Sequence, residues 1–261
     1  MRIEFLTQDD PLYVLPFFEQ FIRSYSAEFE IERIGFCRVM GKRSRKQLLR
    51  ELMWLYGFWG LVRLCLRLAV FRCLSVLPRK RGGSRYYSLR QLCRAYGITC
   101  ETVTNPNQAE YVSALKQRAP DVLVSVACPY ILKEPVLQVA ALGSVNIHHA
   151  PLPRYKGMMP TFWQMYHSEK SVGLTVHYMA AKVDEGDALL SDQLEIQPGE
   201  SLDHLIQRSK RHGANCMATV LRQLQARTAQ PSKLELDKGT YFTFPTREEA
   251  LAFRQRGLRA I

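Results

Sequence analysis

The chain has 261 residues, 47% of them hydrophobic and 23% charged, and its 36 Lys and Arg against 24 Asp and Glu leave a formal charge of +12. That apolar fraction excludes a disordered or collagen-like chain, and at roughly 100 to 200 residues per domain the length suits one large domain with an appendage. The positive surplus favours anionic partners such as phosphates, nucleic acid or a membrane surface, beside the plain alternative of a soluble basic exterior.

Seven cysteines, at positions 37, 65, 73, 93, 100, 128 and 216, form no Cys-x-x-Cys pair and make an odd total. Neither a disulfide framework nor a zinc ribbon is indicated, and reduced thiols in a cytoplasm fit best. The N-terminus turns polar at Thr7-Gln8-Asp9-Asp10 before an apolar signal core can form, so no secretory segment is expected.

Read in chain order, β-rich runs at Arg2 to Leu6, Glu30 to Val39, Ile98 to Val103, Val122 to Ala127 and Ser144 to His148 predict strands. Between them, helical periodicity marks Leu12 to Tyr25, Ser88 to Tyr96, Gln108 to Arg118 and Glu134 to Ala141. A helix is predicted over Thr161 to His167, strands over Gly173 to Met179 and Ala188 to Ile196, and a long helix over Leu202 to Leu224. In the tail, Pro231 and Asp237-Lys238-Gly239 break the pattern and Tyr241 to Pro245 reads as extended. Thr246 then caps a short helix with Glu249 at the capping-box position. Alternating strands and helices predict an α/β fold, a Rossmann-like, mostly parallel sheet flanked by helices. Functional groups in such folds gather beyond the carboxyl ends of strands.

Residues 41–87 interrupt this alternation. Lys42, Arg43, Arg45, Lys46 and Arg50 precede an apolar stretch from Leu52 to Leu77, and Arg79, Lys80, Arg81 and Arg85 follow it. Arg63, Arg67 and Arg72 interrupt the stretch, which is too short and too charged to span a bilayer. At about 100° per residue Arg63 and Arg72 fall on opposite faces, which spoils a clean amphipathic stripe. The segment reads as a helical insertion partly packed on the main domain, with an interfacial membrane anchor as the alternative and 42–85 as the region that would meet the lipid.

The passage Gly143-Ser144-Val145-Asn146-Ile147-His148-His149-Ala150-Pro151-Leu152-Pro153-Arg154-Tyr155-Lys156-Gly157 carries the most chemistry. Alternation along a strand projects Asn146 and His148 on one face, and Ile147 packs on the other. An acidic turn, Val183-Asp184-Glu185-Gly186-Asp187, joins two predicted strands and can carry a carboxylate back towards His148. Asn, His and Asp together can bind a carbonyl oxygen, manage a proton and hold an imidazolium. From spacing alone the same residues also read as a turn asparagine, a satisfied core histidine and a solvated aspartate. His149 should face away from His148 and is read as structural or rim-lining. No metal is expected, because His148, His149 and His177 lack a carboxylate or thiol at ligand spacing.

Asn146-x-His148, Leu152-Pro153-x-Tyr155-x-Gly157, Gly173-Leu174-Thr175-Val176-His177 and Asp184-x-Gly186 follow one another in the order and near-spacing of the formyltransferase superfamily, which the chain resembles most strongly from about 120 to 190. The resemblance implies a catalytic domain over 1–225, with the insertion at 41–87, and a C-terminal extension over 226–261. It also implies formyl transfer from 10-formyltetrahydrofolate to an amine, with Asn146, His148 and Asp184 as the catalytic set and His177 in support. The pteridine would be seated by Tyr130, Ile131 and Leu132 and by the loop carrying Ala181 and Val183. Tyr155, Gly157, Met158, Met159 and Thr161 would line the acceptor side.

Residues 6–11 hold no glycine for a purine-pathway phosphate loop, and too little chain follows Leu224 for the β-barrel of the methionyl-tRNA enzyme. The acceptor expected is therefore a small amine such as an amino-sugar nucleotide, with no tRNA. A superfamily hydrolase and a non-catalytic module binding anionic lipid or nucleic acid are the alternatives.

Overall fold

The computed structural model describes residues 1–38 and 44–261. The chain runs β1 (Arg2–Thr7), α1 (Leu15–Tyr25), β2 (Glu30–Cys37), α2 (Arg45–Leu74), α3 (Leu89–Tyr96), β3 (Thr99–Val103), α4 (Ala109–Arg118), β4 (Val122–Val126), α5 (Glu134–Leu137) and β5 (Ser144–His148). It continues through β6 (Lys156–Gly157), α6 (Pro160–Tyr166), β7 (Ser171–Tyr178), β8 (Ala188–Glu195), α7 (Leu202–Ala226), β9 (Tyr241–Phe242) and α8 (Arg247–Gln255).

Seven strands form one sheet in the order β3-β2-β1-β4-β5-β7-β8. Neighbours from β3 to β5 are parallel, whereas β7 and β8 run antiparallel. Connections from β1 wind to one side and from β4 to the other, so the switch point lies between β1 and β4, where open α/β sheets bind ligands at the carboxyl ends. Alternation along the strands splits the core. Phe5, Val122, Val124 and Val126 join α1, α3 and α7 on one face, and Leu6 and Leu123 join α4 and α5 on the other. Glu4, fully buried in β1, accepts two hydrogen bonds from the Arg118 guanidinium at 2.7 and 2.8 Å and one from the Tyr111 hydroxyl at 2.9 Å.

Three elements depart from the sequence reading. The second strand ends at Cys37, and Val39 lies outside the described residues, as do Lys42 and Arg43 of the basic run. The helix expected over 134–141 is a single turn, closed by Gln138 so that the chain can turn back at Gly143 into β5. The extended tail pairs its residues 241–242 in parallel with β6, which no pattern in the sequence announces. Phe242 stacks on Trp163 and Phe253 on Phe162, fixing the tail to α6, and Thr246 and Glu249 form the expected capping box at α8.

The insertion is helical. Ser44 caps α2, which breaks at Gly57, where φ is +68°. Leu61, Leu64 and Phe71 of the second half enter the main core. Arg67 donates to both carboxylate oxygens of Asp203 on α7 at 2.9 Å, and the hydroxyls of Tyr56 and Tyr13 lie 2.9 Å apart. Gln91 donates to the carbonyls of Leu74 and Leu77, closing the segment onto α3. No helix among the described residues is long and apolar enough to cross a membrane.

Candidate active site

Strand β5 carries Asn146 and His148 on one face, and β7 lies against it with Asn146 opposite His177 and His148 opposite Thr175. The 3.1 Å contact between Asn146 Nδ2 and His177 Nε2 follows from that register. His177 Nδ1 lies 2.8 Å from the Tyr178 carbonyl, which only accepts, so Nδ1 holds the ring proton and Nε2 receives the Asn146 amide. Burial pushes the His177 pKa down to about 4, against the pull of Asp184, so the ring is neutral at neutral pH. One amide hydrogen of Asn146 is thereby committed and the other is left for a ligand.

Asp184 stands between the two histidines. Its Oδ2 lies 3.6 Å from His148 Nδ1 and its Oδ1 lies 3.7 Å from His177 Nε2. The other nitrogen of His148, Nε2, donates to the Tyr155 carbonyl at 2.9 Å. His148 is thus satisfied at Nε2, whereas its Nδ1 faces the Asp184 carboxylate without a hydrogen bond to it. The 3.6 Å separation is too long for a hydrogen bond, so Nδ1 is the ring position open to a reacting oxygen.

The loop carrying Asp184 is held from three sides. Gly157 N–H donates to Asp184 Oδ2 at 3.2 Å, and Lys156 pairs with Glu185 at 2.8 Å. A Cβ at Gly186 would lie 1.8 Å from the Tyr178 carbonyl oxygen, so only glycine lets the chain pass there. Asp184 itself sits at φ +56°. Gly157 is fixed in turn by β9, whose Phe242 carbonyl accepts from the Met158 N–H at 2.9 Å.

The remaining sequence-selected residues divide by side chain and backbone. The Tyr155 ring is buried, stacked on Phe242, with its hydroxyl donating to Glu169 at 2.8 Å; burial and that carboxylate push its pKa up to about 12. Tyr155 meets the site through its carbonyl and not through its ring. Thr161 is buried in α6, Met159 caps that helix in the left-handed region, and Met158 is exposed. Ile131 and Val183 project into solvent from the loops after β4 and before Asp184, as does Ala181, whereas Leu132 packs into the core. The Tyr130 hydroxyl donates to the Thr104 carbonyl, anchoring the first of these loops. Each of the two loops thus leaves one large aliphatic side chain exposed, Ile131 on the first and Val183 on the second.

His149 faces away from His148: its Nδ1 lies 2.8 Å from Ser209 Oγ, and burial holds its pKa well below the ordinary value. Asp184 lies 3.6 Å from His148 and 3.7 Å from His177. Elsewhere, Asp192 on β8 gathers with His212 and Cys216 of α7, ligand atoms within 4.8 Å of one another. His212 is 2.9 Å from Asp192 and Cys216 is 3.5 Å from it, hydrogen bonds that account for the cluster. The His212-x-x-x-Cys216 helical spacing was the signal available for it.

A family model described as formyl transferase matches residues 89–221. Over 141 residues the chain is 33% identical to a methionyl-tRNA formyltransferase of Syntrophus aciditrophicus, covering 54% of this chain and 45% of that protein. The chain thus spans about half the length of the curated relatives it matches. Among solved structures, a sugar N-formyltransferase from Shewanella superposes over 97% of this chain and 87% of its own, with a TM-score of 0.58 at 16% identity. A sugar 3N-formyltransferase crystallised with dTDP and 5-N-formyl-THF superposes over 100% and 82%, with a TM-score of 0.56 at 12% identity. The expectation of no tRNA is overturned, since the curated relatives are named methionyl-tRNA formyltransferases. With more than half of its length matched by one model, on the residues that build the Asn146, His148 and Asp184 cluster, the chain belongs to the formyl transferase family.

Proposed function

We propose that the chain moves the formyl group of 10-formyltetrahydrofolate to an acceptor amine, and that Asn146, His148 and Asp184 do the chemistry. The observation that carries the reading is the Asp184 carboxylate 3.6 Å from His148 Nδ1, beside an Asn146 amide held by a neutral His177. The amine lone pair attacks the formyl carbon, a C–N bond forms, and the carbonyl π pair moves to oxygen. The free Asn146 N–H and His148 Nδ1–H donate to that oxygen as it becomes negative, while Asp184 holds the imidazolium. Asp184, directly or through water, takes the amine proton, and the folate nitrogen leaves with the electron pair of its own C–N bond and regains a proton. A preorganised donor of this kind is worth about 3 kcal/mol of barrier.

Ile131 and Val183, with the backbone of 128–132, are the residues that would seat the donor, and Met158 and Met159 border the acceptor side. The donor, when bound, supplies an activated one-carbon unit. The family and the formyltransferases among the similar solved structures support formyl transfer. The acceptor class is open among amines, from amino-sugar nucleotides to the methionyl-tRNA of the curated relatives.

The test supplies 10-formyltetrahydrofolate with a panel of amino-sugar nucleotides, charged methionyl-tRNA and simple amines, and follows tetrahydrofolate. Product that depends on one amine and disappears in His148→Ala is expected. Formate released without any amine would assign a hydrolase instead. Neither product, from protein that is folded, would remove the enzymatic reading.

A further inference from the structure

The second half of α2, from Phe58 to Leu74, presents an outward face that none of the described residues covers. Leu61, Leu64 and Phe71 turn inward. On the opposite side Trp59 is 74% exposed, Leu66 62% and Val70 52%, and Phe58, Ala69 and Cys73 are exposed with them. At about 100° per residue these outward residues centre on one line, roughly opposite the buried one. Arg63 and Arg72, about 180° apart, are both exposed and lie at the two rims of this stripe. Their opposition brackets the apolar face instead of spoiling it, which corrects the sequence reading. Neither has an acidic partner among the described residues.

Charge is concentrated in the same segment. Residues 44–88 hold ten Lys or Arg and one acid, Glu51, so nine of the twelve net positive charges lie in about a sixth of the chain. Arg67 is consumed by Asp203, and Arg81 and Arg85 lie over aromatic rings of the protein. Lys80 is exposed just beyond the helix, with Val76 and Leu77 between.

We propose that this face of α2 is a docking surface for an anionic lipid bilayer, lying in the interface without crossing it. A helix of 17 residues is about 25 Å long, and such a helix buries its apolar side about 5–10 Å into the headgroup boundary. Trp59 and Phe58 sit at its start, where amphipathic rings suit the headgroup level, and long arginine side chains at the rims reach the phosphates while their stems lie along lipid. A second copy of the chain would set the rim arginines Arg63 and Arg72 against like charges, so charge disfavours self-association there. A nucleic acid would meet the arginines but leave Leu66 and Val70 without a partner, since aliphatic side chains give bases no stacking platform. Bilayer docking goes beyond the proposed reaction and does not depend on it.

The experiment mixes the full chain with phosphatidylcholine vesicles, with and without about 30% phosphatidylglycerol, and reads co-sedimentation and tryptophan emission. Binding to the anionic vesicles is expected, with a blue shift that Trp59→Phe removes and weakening at about 0.5 M salt. Leu66→Glu should lower the partition at least about ten-fold with unchanged circular dichroism, since the site is exposed in the free protein. Arg63→Glu should lower it about 25-fold, five-fold for the charge lost and five-fold for the one gained. Absence of binding to anionic vesicles, or binding that survives Leu66→Glu, overturns the proposal. So does a dimer that Leu66→Glu dissolves, or retention by RNA in the absence of any vesicle binding.

Discussion

Replacing Asp184 by Asn keeps the shape of the side chain and an oxygen for the Gly157 N–H, and removes the charge together with the capacity to take the amine proton. In the wild-type protein a carboxylate oxygen lies 3.6 Å from His148 Nδ1, with the Asp184 side chain 9% exposed. Two unit charges at that distance attract by about 5 kcal/mol at an effective permittivity near 20, and by about 1 kcal/mol in bulk water. The enclosed position favours the larger value, and the amide dipole of Asn recovers part of it. About 3–4 kcal/mol of transition-state stabilisation is then lost, which is a fall of about 10²–10³ in kcat/KM.

The assay is tetrahydrofolate release at saturating donor with whichever amine the panel identifies, alongside binding of a folate analogue that cannot transfer. Analogue affinity should stay within about three-fold, because the substitution leaves untouched the segments 128–132 and 180–183 proposed to seat the folate. A variant that is folded, binds the analogue and keeps kcat within about five-fold of wild type would refute the pairing of Asp184 with His148 as the source of the rate.

Other outcomes follow from the same geometry. Gly186→Ala must move the loop off the Tyr178 carbonyl, now 1.8 Å from the added carbon; displacement of Asp184 by about 1 Å should cost about 100-fold in kcat, more than any fall in melting temperature would explain. His177 titrates near 6.5 when unfolded but near 4 when folded, so stability is full above pH 6.5 and is lost as pH falls towards 4. That amounts to about 2 kcal/mol between pH 7 and 5, and urea midpoints against pH should show a shallower slope in His177→Phe. Arg118→Met strands the buried Glu4 carboxylate and should destabilise by about 3–5 kcal/mol in urea unfolding, with Glu4→Leu in the same chain restoring most of it.

Strand β4 was legible within a residue or so because it is a nearly continuous apolar run with both faces covered, and β1 and β5 because short β-rich runs alternate with helical patterns on either side. The helix starts at Ser88 and Thr246 were legible from their caps, where one side chain satisfies a backbone donor three residues on. Direction was not legible in the last two strands: the pattern of Gly173 to Met179 is the same whether β7 runs with β5 or against it. The β6 and β9 pair, two residues each, is too short for any periodicity. Of the candidate cluster, Asn146 and His148 could be placed together from strand alternation and Asp184 brought towards them by the acidic turn between two strands, while the choice of that reading over a solvated aspartate came from the family resemblance. The contact of the Tyr155 carbonyl with His148 was not legible, since a carbonyl carries no residue identity.

The cluster depends on the register of one antiparallel pair. Asn146 opposes His177 and His148 opposes Thr175. A slip of one residue would set Val176 against Asn146 and turn His177 to the far face, leaving the amide unheld and Asp184 facing one histidine. The register is fixed by groups that take no part in the chemistry. Thr175 Oγ1 donates to the Ala150 carbonyl at 2.8 Å and accepts from the Leu152 N–H at 3.1 Å, tying β7 to the turn after β5. Gln164, buried in α6, accepts from the Gly173 N–H at 2.8 Å and donates to the His149 carbonyl at 2.9 Å, bridging the same two segments from the other side. Gly173 leaves room for Pro151, whose ring a Cβ there would meet at 2.5 Å. The Leu-Pro-x-Tyr-x-Gly turn and the Gly-Leu-Thr-Val-His strand therefore form one mechanical unit. The strand brings His177 to Asn146, and the turn brings the Tyr155 carbonyl to His148 and the Gly157 N–H to Asp184.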